Sequence, residues 1–343
     1  MPPFVSVVVL NWNGIADTRA CLDSLLAQAY GAFEVHLVDN ASAGGEAGLL
    51  AAEYGARVRL HRNAANLGFS GGNNVALRAI LAEGRAALVA LLNNDAEADP
   101  GWLAALVAAA ERHPECGLFA SRMVFHDQPD RIENTGIDLL RDGSAVPRGR
   151  GRRTERYDAA AEVLGACAGA ALYRSRLLGE LGLFREEFFA NFEDVDLALR
   201  AQACGWRCRY VPGARVRHRL SRSIVKVRTE EFQVRSLRNL LLARRVNLPL
   251  AVLALDLPWT LLRRVVVAGL APLLGQPQVA RIDRAARRAA AAERTWVAAR
   301  RAELAPRRRG CWLRLWWLER SVLPVWWRFF VEAVLLRRRG FLE

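Results

Sequence analysis

The 343-residue sequence is poor in the patterns that mark metal-stapled or disulfide-held proteins. Its six cysteines (Cys21, Cys116, Cys167, Cys204, Cys208 and Cys311) show no Cys-x-x-Cys pair and no zinc-ligand spacing. This pattern excludes a zinc ribbon and predicts reduced thiols in a cytoplasmic protein. Neither a Gly-x-Gly-x-x-Gly fingerprint nor a Walker loop occurs. Met1-Pro2-Pro3 leads into a strand-like run with no basic segment or cleavage site, so no signal peptide is expected. A run of about 20 uninterrupted apolar residues is also lacking, because Asp256, Arg263 and Arg264 break the best candidate; no membrane-spanning helix is predicted. What the chain does have is 52% hydrophobic residues, enough for a full core with room for a second module. Its net charge of +14 is unevenly distributed. From Ser221 onward there are 25 Arg or Lys against 9 Asp or Glu, which leaves the first 220 residues near −2.

The first half alternates between strand and helix patterns, the signature of a doubly wound α/β sheet. Val5 to Leu10 is a β-branched run ending at Asn11-Trp12-Asn13-Gly14, and Asp17 or Thr18 can cap the helix that follows. Val35 to Val38 is a second strand ending at Asp39-Asn40-Ala41-Ser42, and Arg57 to Leu60 a third. Asn66-Leu67-Gly68-Phe69-Ser70-Gly71-Gly72-Asn73-Asn74 precedes a helix expected from Val75 to Glu83. Those glycines fit either a tight turn or backbone N–H groups open to a phosphate. Ala87 to Leu92 stops at Asn93-Asn94-Asp95, with Asp99-Pro100 expected to open the next helix. These polar residues fit turn chemistry, or a carboxylate presented at the sheet edge to a hard divalent cation.

Residues 126–158 are rich in Gly, Arg and Asp and read as a mobile loop, serving as a lid, a basic acceptor contact or a merely solvated segment. Val163 to Tyr173, built of small residues, reads as one strand beside a substrate or a helix. Phe184, Phe188, Phe189 and Phe192 then precede Glu193-Asp194-Val195-Asp196. Acids at a helix start satisfy the macrodipole. Apolar walls beside them would also raise a carboxylate toward the range of a general base.

Together these motifs resemble the family-2 glycosyltransferases of GT-A fold, particularly the rhamnosyltransferase-like branch, over residues 4–220. The resemblance implies a Rossmann-like, mostly parallel central sheet with flanking helices, and inverting sugar transfer from a nucleoside-diphosphate sugar to a glycan or lipid-linked acceptor. It implies that Asp39, Asn11 and Asn13 line the nucleotide pocket and that Asn66, Gly71 and Asn74 lie by the donor. Asn93 and Asn94 would belong to an Asp-x-Asp-like element whose Asp95, with His218, holds Mg²⁺ or Mn²⁺. Asp194 would be the base, with Glu193 the alternative. Asn93 stands where many relatives carry a first aspartate. The rival readings are a non-catalytic nucleotide-sugar-binding assembly subunit and a sugar nucleotidyltransferase.

From Ser221 the pattern changes to arginine clusters alternating with apolar runs, and this region holds seven of the ten tryptophans. Helices are expected over Leu237–Leu253, Trp259–Leu274 and Trp312–Leu336, broken by Pro249, Pro258, Pro272 and Pro324. Arginine beside Trp316-Trp317 and Trp326-Trp327 fits an interfacial helix on the anionic inner face of the cell membrane, or a helical region packed on the core. No nucleic-acid-binding module is recognisable.

Overall fold

The computed structural model describes residues 2–219 and 229–329. Three largely buried strands, β1 (Val5–Asn11), β2 (Phe33–Asp39) and β4 (Leu88–Leu92), with the more exposed edge strand β3 (Arg59–Arg62), form a parallel group in the order β3-β2-β1-β4. Helices α1 (Ile15–Leu26), α2 (Glu46–Tyr54) and α4 (Trp102–Arg112) cover one face, where Val5, Val7 and Val9 meet Leu22, Leu50 and Leu106. On the opposite face Val8 and Leu91 meet Leu77 and Ile80 of α3 (Gly68–Glu83). Successive side chains of one strand feed the two layers, as a doubly covered sheet requires.

Beyond β4 the sheet is mixed. A short β5 (Ala96–Ala98) follows the Asn-Asn-Asp turn, so α4 opens at Trp102 rather than at Asp99-Pro100. β6 (Cys116–Phe125) joins β4 through β11 (Ala170–Arg174), which is antiparallel to both, and β12 (Arg207–His218) runs parallel to β6. Strands β1, β2, β4, β6 and β12 therefore all point the same way. Register shifts at Arg207/Cys208 and Val211/Arg215 carry β12 past the sheet to pair His218 with Ala96.

Residues 126–158 are folded, not the expected loose loop. β7 (Ile132–Asn134) pairs with β6, and β8 (Ile137–Leu139) pairs with β9 (Ala145–Pro147). Burial of Ile132, Leu139 and Leu140 anchors this excursion, and Arg148 stacks on Tyr157 and Tyr210. The small-residue run is likewise divided, into β10 (Ala161–Val163), a turn, and β11. α5 (Ser175–Leu181) and α6 (Glu193–Ala203) complete this part.

The basic region is helical: α7 (Glu230–Asn247), α8 (Leu250–Leu273), α9 (Pro277–Ala292), α10 (Arg294–Leu304), α11 (Trp312–Leu318) and α12 (Leu323–Phe329). Pro258 and Pro272 lie inside α8 instead of ending it, each at the loss of a backbone donor. The Ser221 boundary and the stretch from 330 to Leu336 fall outside the described residues. Much of this region packs on the core, with Leu240, Leu242, Ala243 and Val252 closing a cluster with Val195, Ala198 and Leu199 of α6. The buried Arg244 guanidinium stitches it further, binding Asp256 (2.6 Å), Glu319 (3.3 Å) and the Leu140 carbonyl (3.4 Å).

Other parts of the region leave apolar surface uncovered. Leu261, Val265 and Leu273 of α8, Trp317 of α11 and Trp327 of α12 are exposed, Val265 by 70% and Trp317 by 73%. Among the described residues, no helix is long and apolar enough to cross a membrane.

Candidate active site

The C-terminal ends of β1, β2, β4 and β12 deliver Asn11, Asp39, the Asn93–Asp95 turn and His218 to one rim of the sheet, the edge where open α/β folds place ligands. Asn11 and Asp39 are direct register partners. The Asn11 Nδ2 donates to Asp39 Oδ1 (3.0 Å), Ser42 Oγ (3.1 Å) and Glu46 (2.9 Å), while its Oδ1 accepts from Thr18 Oγ1 (2.6 Å). Thr18 Oγ1 in turn accepts from Asn94 Nδ2 at 3.0 Å. One hydrogen-bonded chain thus runs from Asp39 to the Asn-Asn-Asp turn. Exposed Asn13, with a left-handed φ of 50°, folds its Oδ1 over the Ala43 N–H (2.8 Å) and so closes the Asp39–Ser42 loop.

Asp95 is buried, and its Oδ1 lies 3.0 Å from His218 Nε2, with Asn93 Nδ2 3.4 Å from the same nitrogen. A residue unmarked by any motif, Glu133 of β7, approaches the other side of the ring: its Oε2 lies 3.6 Å from His218 Nδ1, and its Oε1 3.4 Å from Arg150. Burial opposes a charge on this imidazole. The carboxylates of Asp95 and Glu133 on either side outweigh it and hold His218 protonated up to about pH 10. Asp95 Oδ2, Glu133 Oε2 and His218 Nδ1 are buried without a hydrogen-bond partner among the described residues. An unpartnered carboxylate oxygen beside an imidazole nitrogen is a donor set compatible with Mg²⁺ or Mn²⁺, provided the ion replaces the Nε2 proton. Among the described residues no three His, Cys, Asp or Glu side chains are set to hold an ion alone.

The acids of α6 join the same rim. Asn93 N–H donates to the Gly169 carbonyl (2.8 Å), and the neighbouring Ala168 N–H donates to Asp194 Oδ2 (3.3 Å). Burial raises both Asp194 and Glu193, the latter to about 8 with Asp194's charge adding to the effect. Asp194 is half-buried and keeps two backbone donors, Ala168 and Val195, whereas Glu193 is buried with Oε2 unpartnered. Asp196, the third acid, is structural: Arg185, Arg200 and Asn247 occupy its carboxylate.

The glycine-rich motif forms a helix start packed closely against its neighbours. Its helix begins at Gly68, seven residues before the expected start. Gly68 has φ +70°, and a Cβ there would come within 2.4 Å of the Phe189 carbonyl. Gly71 packs against Leu67, and Asn66 Oδ1 accepts from Gly68 N–H (2.8 Å) and Asn40 Nδ2 (2.8 Å). The Asn74 carboxamide is spent on the Phe184 backbone and Glu186. These contacts tie α3 to residues 184–189.

The pattern that defines glycosyltransferase-like family 2 matches residues 2–238. The chain belongs to that family. It is 29% identical over 246 residues to the N-acetylglucosaminyl-diphospho-decaprenol L-rhamnosyltransferase of Mycobacterium tuberculosis, covering 65% of this chain and 78% of that protein. It is 30% identical over 239 residues to the uncharacterized protein y4gI of Sinorhizobium fredii, and 31% identical over 238 residues to the O-antigen biosynthesis protein RfbC of Myxococcus xanthus. Each of these matches covers 64% of this chain but only 25% and 18%, respectively, of those longer proteins. Two solved structures share its fold. The mannosyltransferase PcManGT from Pyrobaculum calidifontis, in complex with GDP-Man and Mn²⁺, aligns with TM-score 0.53 at 18% identity over 86% of this chain and 88% of that one. GalNAc-T7 with UDP, GalNAc and Mn²⁺ aligns with TM-score 0.55 at 16% identity over 71% and 48%. The GT-A fold expected from the sequence is therefore the observed one.

Proposed function

We propose that this glycosyltransferase moves a hexosyl group, rhamnosyl or similar, from a nucleoside-diphosphate sugar to a hydroxyl of a glycan or lipid-linked acceptor, with inversion. The observation that carries this reading is the continuity of the rim. One hydrogen-bonded path leads from Asp39 through Asn11, Thr18 and Asn94 to the turn bearing Asp95, and residues 168–169 link that turn to Asp194.

In this reading Asp39 and Asn11 bind the nucleotide base, with Asn13 ordering the loop beside it. Asp95 and His218 hold Mg²⁺ or Mn²⁺, with Asn93 adjoining and diphosphate oxygens or water as further ligands. A bound cation would supply positive charge against the diphosphate leaving group. Asp194 accepts the acceptor's hydroxyl proton as the new C–O bond forms and the anomeric carbon–phosphate oxygen bond breaks. Its raised affinity for protons suits that task, and its backbone donors fix its direction. Glu193, more deeply buried, remains the alternative base.

Residues 1–220 are the proposed catalytic module and residues 221–343 a helical region facing the cytoplasmic membrane surface. The uncovered Leu261, Val265 and Trp317 amid arginines support contact with anionic lipid, where a lipid-linked acceptor resides. The test is a thermal-stability screen of nucleoside-diphosphate sugars with and without Mn²⁺. Stabilisation by one nucleotide class that needs the cation and is lost in Asp95→Ala supports the proposal; no stabilisation by any nucleotide sugar refutes it.

A further inference from the structure

The segment that aims the acids of α6 is held in a conformation its sequence disfavours. Phe189, Asn191 and Phe192 have φ of 61°, 70° and 65°, unusual for any residue with a Cβ and most of all for phenylalanine. At Phe189, ψ is −64° and the Ala190 N–H bonds back to the Phe188 carbonyl (2.7 Å), which makes it the centre of a strained γ-turn. Such strain persists only where the surroundings over-determine it.

Two helices supply that constraint. From α3, Ser70 N–H donates to the Phe189 carbonyl (3.0 Å). From α7 the fully buried Asn239 Nδ2 reaches three carbonyls, those of Phe188 (2.8 Å), Ala190 (3.2 Å) and Asn191 (3.1 Å). Ser236 Oγ of the same helix accepts from Asn191 Nδ2 (2.9 Å). Phe192, the last left-handed residue, is the N-cap of α6, directly before Glu193 and Asp194.

We propose that Asn239 is a positioning residue for the transfer reaction: it clamps the strained 188–192 turn and thereby fixes where the proton-accepting carboxylate points. The inference rests on the base role argued above. It makes α7, which lies beyond the residue-220 boundary, part of the catalytic apparatus. A misplacement of about 1 Å at a reacting group costs about 100-fold in rate without touching substrate binding.

The experiment compares full-length wild type, Asn239→Ala, Ser236→Ala and Asp194→Asn, measuring kcat, donor KM, nucleotide affinity and amide hydrogen exchange across 188–192 below each variant's Tm. For Asn239→Ala the expectation is a 10- to 100-fold fall in kcat, nucleotide affinity within about twofold of wild type, a displaced acid limb in the pH–rate profile, and faster exchange confined to the turn. Ser236→Ala, which loses one tether and keeps the clamp, is expected to fall about two- to fivefold and so reports on the turn if Asn239→Ala does not fold. Wild-type kcat and pH profile in both variants, with Asp194→Asn inactive, would overturn the clamp alone. Wild-type turnover by Asp194→Asn would overturn the base assignment and the clamp together.

Discussion

Thr18→Val tests the rim at its narrowest point. Thr18 is fully buried, and its hydroxyl is the link between Asn11 and Asn94. Valine keeps the shape and removes both bonds. Asn94 is half-buried and can turn to water, but Asn11 Oδ1 has no other donor among the described residues and is left unsatisfied in a fully buried site. The cost of one such orphan is about 1–3 kcal/mol. Thr18→Ser keeps the hydroxyl and loses one methyl, costing about 0.8 kcal/mol. Urea denaturation should therefore rank Thr18→Val below Thr18→Ser below wild type. Because Asn11 Nδ2 is also the partner of Asp39, titration with nucleoside diphosphate should show about tenfold weaker binding for the valine variant, equivalent to about 1.4 kcal/mol, and near-normal binding for the serine variant. Equal nucleotide affinity in both variants would refute the idea that this chain organises the pocket.

Three further outcomes are expected. The kcat acid limb should lie above the ordinary carboxylate range, because burial raises Asp194, and Glu193→Gln should leave it in place, since a Glu193 carboxyl held neutral to about pH 8 carries no charge where Asp194 titrates below it; a limb near pH 4, or a marked shift in Glu193→Gln, would contradict this. Stability should decline as pH rises from 5 to 9. Glu193 and Glu319 are raised to about 8, so the folded state holds these protons more tightly than the unfolded chain, and the resulting stability is complete below pH 4.5 and lost as pH passes 8. Glu319→Gln should flatten that decline in a Tm series, and an unchanged slope would count against it. Leu261→Glu with Val265→Glu on the uncovered face of α8 should weaken flotation with anionic vesicles at least about tenfold, whereas equal flotation would remove α8 from the membrane contact.

The rim was legible because it combines two strong signals: apolar runs that can only be buried strands, and polar residues where those runs stop. Asp39 and Asp95 stand where such runs stop, Asp194 drew notice as one of the acids at a helix start behind four phenylalanines, and His218, which only the resemblance singled out, lies 3.0 Å from Asp95. Glu133 was not legible, since it lies alone in an Arg- and Gly-rich stretch whose burial depends on pairing with β6. Thr18 looked like a helix cap, yet α1 starts at Ile15 and its hydroxyl serves the rim. The motif glycines fitted a tight turn or a phosphate-facing backbone, whereas Gly68 and Gly72 are small because the Phe189 carbonyl and Leu10 leave no room for a Cβ. Phenylalanine gives no sign of a left-handed backbone, so the strained turn was invisible. So was its dependence on Asn239, which sits within an arginine-rich helix more than forty residues away.

The most direct measurement of the central claim is mass-spectrometric detection of sugar transfer from a panel of nucleoside-diphosphate sugars to a prenyl-diphosphate-linked acceptor, using wild type, Asp39→Ala, Asp95→Ala and Asp194→Asn. A single rim acting as one site predicts a glycosylated product and free nucleoside diphosphate from wild type. It also predicts weakened donor use in Asp39→Ala and transfer reduced by at least about 100-fold in the other two. Wild-type product formation by either Asp95→Ala or Asp194→Asn would contradict it.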